Sequence, residues 1–510
     1  MKKLALVLLL LCCSAVSKPN PFVAADTLQI NGHLAIWLGS GWDWEDGFNY
    51  GWFLGHQIKP VFENYVIPSA FGGVAGYNQA RQIFDEHFVV DDKYIEIAQG
   101  MIDGLEMANI DLFSTVLNDT LTYKDILIAN SIPDFTAFSE KWYHNGPGCS
   151  NLTSWGDATA NAPELLGETV IDRNLDWVNN PFLINNALIV IWVTGDPLKQ
   201  SFITFGYAGM IGALSGMNES GVATFQNMGN YFSSPAGTGF YPVNLAQRDG
   251  LEARDFNNDG ICSPRDITDA VRSHNVASTY IVHSAGPSFL EPAAEILEIH
   301  NAYGNAIRTK NENPAFFGDN LVATNHFRLL KPPTSCSRYN RISDSLQTSN
   351  QLDVNRNWNV LRTAGVNTNL QTIQFIPTQN IIRFSFAETG TPAYMLQPFE
   401  VPMDSLFTLF NVGIVENQNE DISTISIFPN PGSRIITIET LSDENLILSV
   451  SLRDVNGKLI TEINGTPNGF QRYEWDASNV PEGVYFALTE SKNTGTGHIK
   501  TETKKIVVAR

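Results

Sequence analysis

The chemistry-bearing stretch of this chain begins at Gly148-Cys149 and runs to Asp172-Arg173-Asn174-Leu175-Asp176-Trp177. A small residue before a cysteine suits self-cleavage. The cut would free an N-terminal residue carrying both a thiol nucleophile and, in its own α-amine, a base. An α-amine titrates near pH ~8, so it can accept a proton close to neutrality. Arg173 and Asp176, three residues apart, are candidates to hold the thiolate and the amine. A nearby cation favours the thiolate, and a carboxylate accepts a hydrogen bond from the ammonium.

Other catalytic signatures are missing. The sequence has no Gly-x-Ser-x-Gly elbow, His-Glu-x-x-His, Cys-x-x-Cys, Walker loop or Rossmann glycine pattern, so cofactor chemistry has no support in it. His144, His283 and His326 have no partner visible in the sequence and read as structural.

The thiol fits the expected compartment. Lys2 and Lys3, an apolar run from Leu4 to Leu11 and Ala15-Val16-Ser17 read as a signal peptide over residues 1–17. Cys12 and Cys13 fall within it, and bulky Leu11 argues against a lipoprotein cysteine. Cys149, Cys262 and Cys336 remain. Three cysteines leave at least one unpaired; whether Cys262 and Cys336 pair is open. The net charge of −21 argues against nucleic acid or an anionic membrane as partner. No later stretch is long and apolar enough for a stable membrane span.

Several elements must position these residues. Ile95, Ala98, Ile102 and Leu105 recur at helical spacing, and Thr122 to Asp125 reads as a capping box before a helix. From Cys149 onward strands are expected at 149–155, 168–176, 187–193, 201–205, 210–217 and 222–227. Helices are expected after Pro264 and around 292–299. The order suggests a layered α+β body rather than a doubly wound sheet. Residues 414–424 read as a linker, and 425–510 as a small all-β sandwich of about seven strands, with Asn456-Gly457 as a hairpin turn.

That tail resembles the C-terminal sorting domain of type IX secretion cargo, through Ile427-Phe428-Pro429-Asn430-Pro431, Asp454-Val455-Asn456-Gly457-Lys458, Pro481-Glu482-Gly483-Val484-Tyr485 and Lys504-Lys505-Ile506. The resemblance implies the type IX machinery as a partner and a secreted or surface-attached product.

The body resembles the penicillin acyltransferase and choloylglycine hydrolase branch of the N-terminal-nucleophile hydrolases. Besides Gly148-Cys149 and Arg173 to Asp176, the resemblance rests on Asn218-Glu219-Ser220-Gly221-Val222 with Asn227, Thr324-Asn325-His326 and Ser337-Arg338. Residues 97–104 resemble the acyltransferase-type pro-segment. The resemblance implies an αββα sandwich, with a pro-segment at 18–148 and a catalytic part at 149–413. It also implies roles: Cys149 as nucleophile, Arg173 and Asp176 beside it, Asn227 donating to the oxyanion, and Asn325 and Arg338 completing the network. The spacing from Asn218 to Asn227 is tighter than in choloylglycine hydrolases.

A separate stretch, residues 255–266, has EF-hand-type spacing for structural calcium. Its ligands would be Asp255, Asn257, Asp259, the Ile261 carbonyl and Asp266. The same residues suit a polar turn leading into a capped helix.

The expected function is hydrolysis of a small-molecule linear amide, or transfer of its acyl group, through an acyl-thioester on Cys149. Two alternatives stay open: a phospholipase-B-like ester lipid hydrolase, and a non-catalytic surface-displayed binding protein.

Overall fold

A computed structural model describes residues 25–143, 148–312, 316, 318–331, 335–347 and 351–408. In the tail it describes 423–428, 432–442, 446–454, 458–464, 469–493 and 499–508. The signal peptide at 1–17, His144, linker residues 414–422, Pro429 to Pro431 and Asn456-Gly457 lie outside the described residues. The chain forms two compact units, Met1–Val412 and Gly413–Arg510.

Side-chain alternation decides the architecture of the first unit. In the strand His33–Leu38, Ala35 and Trp37 enter one core while Ile36 and Leu38 enter another. Every strand with both faces buried must therefore have a layer on each side. Among the described residues nine strands form one sheet and six form a second, nearly all antiparallel; His33–Leu38 runs parallel to Ala187–Trp192. Between the sheets lie Ile189, Ile203, Phe205 and Phe225 from one side and Ile171, Ile373 and Phe375 from the other. Burying such a side chain contributes roughly 1.5–3 kcal/mol.

Helices cover the outer faces. Asp43–Val61, Asp92–Met107, Tyr123–Asn130 and Val243–Glu252 bury apolar residues in the core on the outer side of the nine-stranded sheet. Ser337–Gln347 and Val354–Arg362 cover the six-stranded sheet through Ile342, Leu346, Val360 and Leu361 against Leu152 and Val322. The body is thus the αββα sandwich implied by its resemblance.

Two helices cross at backbone contact. A Cβ on Gly47 or Gly51 would lie 2.0 Å from the Ile97 or Met101 carbonyl oxygen. One on Gly100 or Gly104 would meet Trp44 or Phe48 at 2.0 or 2.1 Å. Only glycine permits this approach of Asp43–Val61 to Asp92–Met107. The capping box before Tyr123–Asn130 is present, with the Thr122 amide donating to Asp125 Oδ2 at 2.8 Å.

One expected helix is a strand. Residues 292–299 fall mainly in Ala294–His300, which pairs with Thr279–Ala285 and Gly304–Arg308. Both faces are buried, so the apolar run lacks a two-residue period, and its acidic members hide their charge in pairs. Glu295 meets Arg265 at 2.6 Å and Glu298 meets Arg308 at 3.2 Å.

The second unit is all-β, with a three-stranded and a four-stranded sheet among the described residues. Ile436, Ile438, Val450, Leu452, Trp475, Tyr485 and Ile506 form its core.

Candidate active site

Strand pairing assembles the site. Gly148–Trp155 runs antiparallel to Val170–Asp176, with Gly148 opposite Asp176, Cys149 opposite Leu175 and Asn151 opposite Arg173. Alternation sends Cys149 and Arg173 to the face toward the nine-stranded sheet and Asp176 to the other face. The Arg-x-x-Asp spacing thus puts a cation and an anion on opposite sides of one strand, both beside the Gly148–Cys149 peptide.

Arg173 is fully buried. Its guanidinium crosses to the facing sheet, donating to the Leu214 carbonyl, Ser215 Oγ at 2.8 Å and the Gln226 carbonyl at 2.7 Å. Its Nη2 also lies 3.4 Å from Cys149 Sγ. In the uncut chain burial pushes the Cys149 thiol up; Arg173 pulls it down and Asp176 adds a smaller upward push. The thiol is stored protonated beside a cation that favours its ionised form.

Asn325 and Arg338 hold the cysteine's backbone. Cys149 N donates to Asn325 Oδ1 at 2.8 Å, and Asn325 Nδ2 donates to the Met228 carbonyl at 2.8 Å. From the start of the outer helix Ser337–Gln347, Arg338 donates to Asn325 Oδ1 at 2.6 Å, the Cys149 carbonyl at 3.1 Å and Asp176 Oδ2 at 2.9 Å. A side chain at position 148 would displace this fork, since a Cβ there would sit 2.9 Å from Arg338 Nη1. Asp176 is driven up to about 6 by burial, with Arg338 and Asn369 pulling the other way.

Of the six residues carried over by resemblance, five meet at this point: Cys149, Arg173, Asp176, Asn325 and Arg338. Asn227 stands one step back. Its amide donates to the Thr324 carbonyl at 3.3 Å and its oxygen accepts from Asn151 at 3.2 Å. As placed, it ties the Thr324–Asn325 peptide to Asn151 on the cysteine strand. Asn369, which donates to Asp176 Oδ1 at 3.0 Å, was not singled out in the sequence. Its only sequence signal is a polar residue beginning a buried strand.

An apolar cavity adjoins Val170–Asp176, the strand paired with the cysteine strand. Leu175, the residue opposite Cys149, lines it, as does Leu214, whose carbonyl holds Arg173. Its remaining wall includes Ile58, Val61, Val66 and Ala129 from before Cys149.

Cys262 and Cys336 are both free, as is Cys149. His283 is buried with Nε2 2.9 Å from Thr153 Oγ1, and burial lowers it to about 3. It is a neutral core residue.

The 255–266 loop is wound by its own side chains. Asp255 accepts from the Asp259 and Gly260 amides at 2.9 and 2.8 Å, and Asp259 accepts from Ile261 at 2.9 Å. Asn258 and Gly260 take left-handed φ values of 62° and 88°. Asp266 caps the helix Pro264–Arg272, accepting from Ser263 at 2.7 Å and from Phe256 and Asn257 at 2.8 and 3.2 Å. Among the described residues, no three His, Cys, Asp or Glu side chains converge as a metal-binding group.

Comparisons with known proteins bear on both units. Residues 426–509 match the family model of the secretion system C-terminal sorting domain. The tail thereby marks the chain for type IX secretion, to the cell surface or beyond it. No described helix is long and apolar enough to cross a membrane. No curated protein matches the chain. Among solved structures, the chain is similar to a Caenorhabditis elegans N-acylethanolamine-hydrolyzing acid amidase ortholog. The identity is 16%, over 50% of this chain and 100% of that one, with a TM-score of 0.35. It is also similar to a mutant conjugated bile acid hydrolase from Clostridium perfringens, at 12% identity over 51% of this chain and 94% of that one, with a TM-score of 0.32.

Proposed function

We propose that the exported protein is an N-terminal-cysteine amidohydrolase that cuts itself between Gly148 and Cys149 and then acts on a linear amide with an apolar acyl chain. One observation supports this above the rest: the sulfur, amide nitrogen and carbonyl of Cys149 are held by Arg173, Asn325 and Arg338 respectively.

In the self-cleavage step the thiol sulfur adds to the Gly148 carbonyl carbon. The peptide C–N bond breaks, the nitrogen takes a proton, and an internal thioester forms. Water hydrolyses the thioester, leaving a Gly148 carboxylate and a free Cys149 amine and thiol. Arg173 stabilises the negative charge that develops on sulfur.

In turnover the freed amine takes the thiol proton as sulfur attacks the substrate carbonyl. The resulting ammonium returns that proton to the departing amine, and water then releases the acid from the acyl-thioester. Asp176 accepts from the ammonium; Arg338 anchors the Cys149 carbonyl, so the new N-terminus keeps its place. Asn227 would donate to the oxyanion through its second amide hydrogen, the first being bonded to the Thr324 carbonyl. Acyl transfer differs only in that a second amine replaces water.

The cavity beside Leu175 suits the acyl chain, each buried methylene contributing about 0.8 kcal/mol. Because residues 58–66 and 126–133 form its wall, the 18–148 part stays bound to the 149–413 part after cleavage. At 255–266 we propose structural calcium on Asp255, Asn257, Asp259 and the Ile261 carbonyl. Asp266 would join through the lone pair that its three backbone donors leave over.

The test is hydrolysis of N-acyl amides of graded chain length by the purified protein and by Cys149→Ala. The variant should remain one chain and release no acid. Undiminished hydrolysis by Cys149→Ala would overturn the assignment.

A further inference from the structure

Asn369 stands at a β-bulge next to the candidate nucleophile. Along the pairing of Asn369–Ile376 with Val170–Asp176, Asn369 faces Asp176 and Gln371 faces Leu175, leaving Leu370 as the extra residue. A bulge takes a side chain out of strict alternation and re-aims it, and bulges recur next to active sites. Here the re-aimed side chain is a fully buried amide.

The amide has one possible orientation. Asn369 Oδ1 accepts from the Tyr394 amide at 2.7 Å and from Thr372 Oγ1 at 3.0 Å. Its nitrogen must therefore face the other way, where three acceptors wait: Asp176 Oδ1 at 3.0 Å, the Gln371 carbonyl at 3.1 Å and the Leu175 carbonyl at 3.3 Å. Arg338 takes the other carboxylate oxygen, Oδ2. With one donor on each oxygen, the Asp176 carboxylate cannot turn without breaking a bond to a buried partner, and breaking one costs ~1–3 kcal/mol.

We propose that Asn369 is a positioning residue that keeps the Asp176 carboxylate aimed at the amine freed by cleavage before Cys149. This rests on the function proposed above. The charged and titratable groups bearing on Asp176 are Arg338 from the outer helix, Arg173 on its own strand and the Cys149 thiol across the pairing. The hydrogen bond from Asn369 favours the ionised carboxylate. Its loss should raise the pH at which Asp176 loses its charge.

The experiment compares pH–rate profiles of the full chain with those of Asn369→Asp and Thr372→Val. Asn369→Asp keeps the volume and the acceptor toward Tyr394 but turns a donor into an acceptor against Asp176. Thr372→Val keeps the shape but removes the hydroxyl that bonds both Asn369 Oδ1 and Asn174 Oδ1, and Asn174→Ala, which removes the second bond and leaves the first, is its control. For Asn369→Asp, kcat should fall at least about tenfold with KM within twofold, and the acidic limb should move up by about one pH unit. Thr372→Val should shift the limb in the same direction by less, and it carries the test alone if Asn369→Asp does not fold. A purely structural role would lower the melting temperature and leave the limb in place. If Cys149→Ala is inactive while both variants keep the wild-type limb and kcat, the positioning role is wrong and the proposed function stands. If Cys149→Ala remains active, the proposed function fails and the positioning role falls with it.

Discussion

Arg338 uses one nitrogen, Nη1, to donate both to the Cys149 carbonyl at 3.1 Å and to the Asp176 carboxylate at 2.9 Å. The backbone of the nucleophile and the side chain that would receive its amine are therefore tied to one cation. Arg338→Met keeps the stem and removes the donors. A hydrogen bond to a charged group contributes ~1.5–3 kcal/mol, so self-cleavage should slow roughly 10- to 100-fold. Densitometry of precursor against fragments over time reads this directly, and Arg338→Lys should recover little, because a single ammonium cannot reproduce the fork.

Filling the cavity should change chain-length preference and leave cleavage alone. Ala129 lines the cavity from the helix Tyr123–Asn130. Ala129→Phe should raise KM for long acyl chains by at least about tenfold, the equivalent of two lost methylene contacts at ~0.8 kcal/mol each. Short-chain substrates should change less than threefold. An unchanged rate of self-cleavage is the control for folding.

Stability should fall as pH rises from 5 to 8. Burial raises Asp46 and Asp134 to about 7, while both titrate near ~4 in the unfolded chain. Between these values the folded form holds more protons, so the stabilisation from these two groups is full at the acid end and lost as pH climbs through 7. Glu252 and Asp249, held down by neighbours including Lys93 against their burial, act in the opposite sense only below pH ~4, while His283, lowered to about 3, opposes the two aspartates up to pH ~6.5 without outweighing them. Calorimetry should find a melting temperature several degrees higher at pH 5 than at pH 8. Asp134→Asn should flatten that slope, and a rise in stability toward pH 8 would contradict it.

If calcium occupies the 255–266 loop, adding it to metal-free protein should raise the melting temperature by RT ln(1 + [L]/Kd) converted through the unfolding entropy. At a hundredfold excess over Kd that is ~2.7 kcal/mol. Asp255→Ala should abolish the response, since Asp255 also holds the Asp259 and Gly260 amides. No shift in wild-type protein would leave the loop as a helix cap alone.

The sequence made the site legible where chemistry depends on local spacing. Arg173 and Asp176, three apart on a strand, necessarily fall on opposite faces, and both faces matter here. The tail's seven strands among the described residues also followed from its short apolar runs. Residues 292–299 misled because Glu295 and Glu298 are paired inside the body, so the run shows no alternation. Asn227 was legible in its place on the strand, whereas its bond to the Thr324 carbonyl, on a distant segment, was not. Asn369 was illegible because a bulge depends on the pairing of two strands almost two hundred residues apart. Gly148 carried a readable signal whose cause was hidden, since Arg338 lies 190 residues away.

The most direct test of the central claim is intact-mass analysis with N-terminal sequencing of active protein. Self-cleavage predicts two associated fragments, one ending at Gly148 and the other beginning with Cys149, and a single uncut chain for Cys149→Ala under the same conditions. A fully active preparation in which the Gly148–Cys149 bond is intact would contradict it.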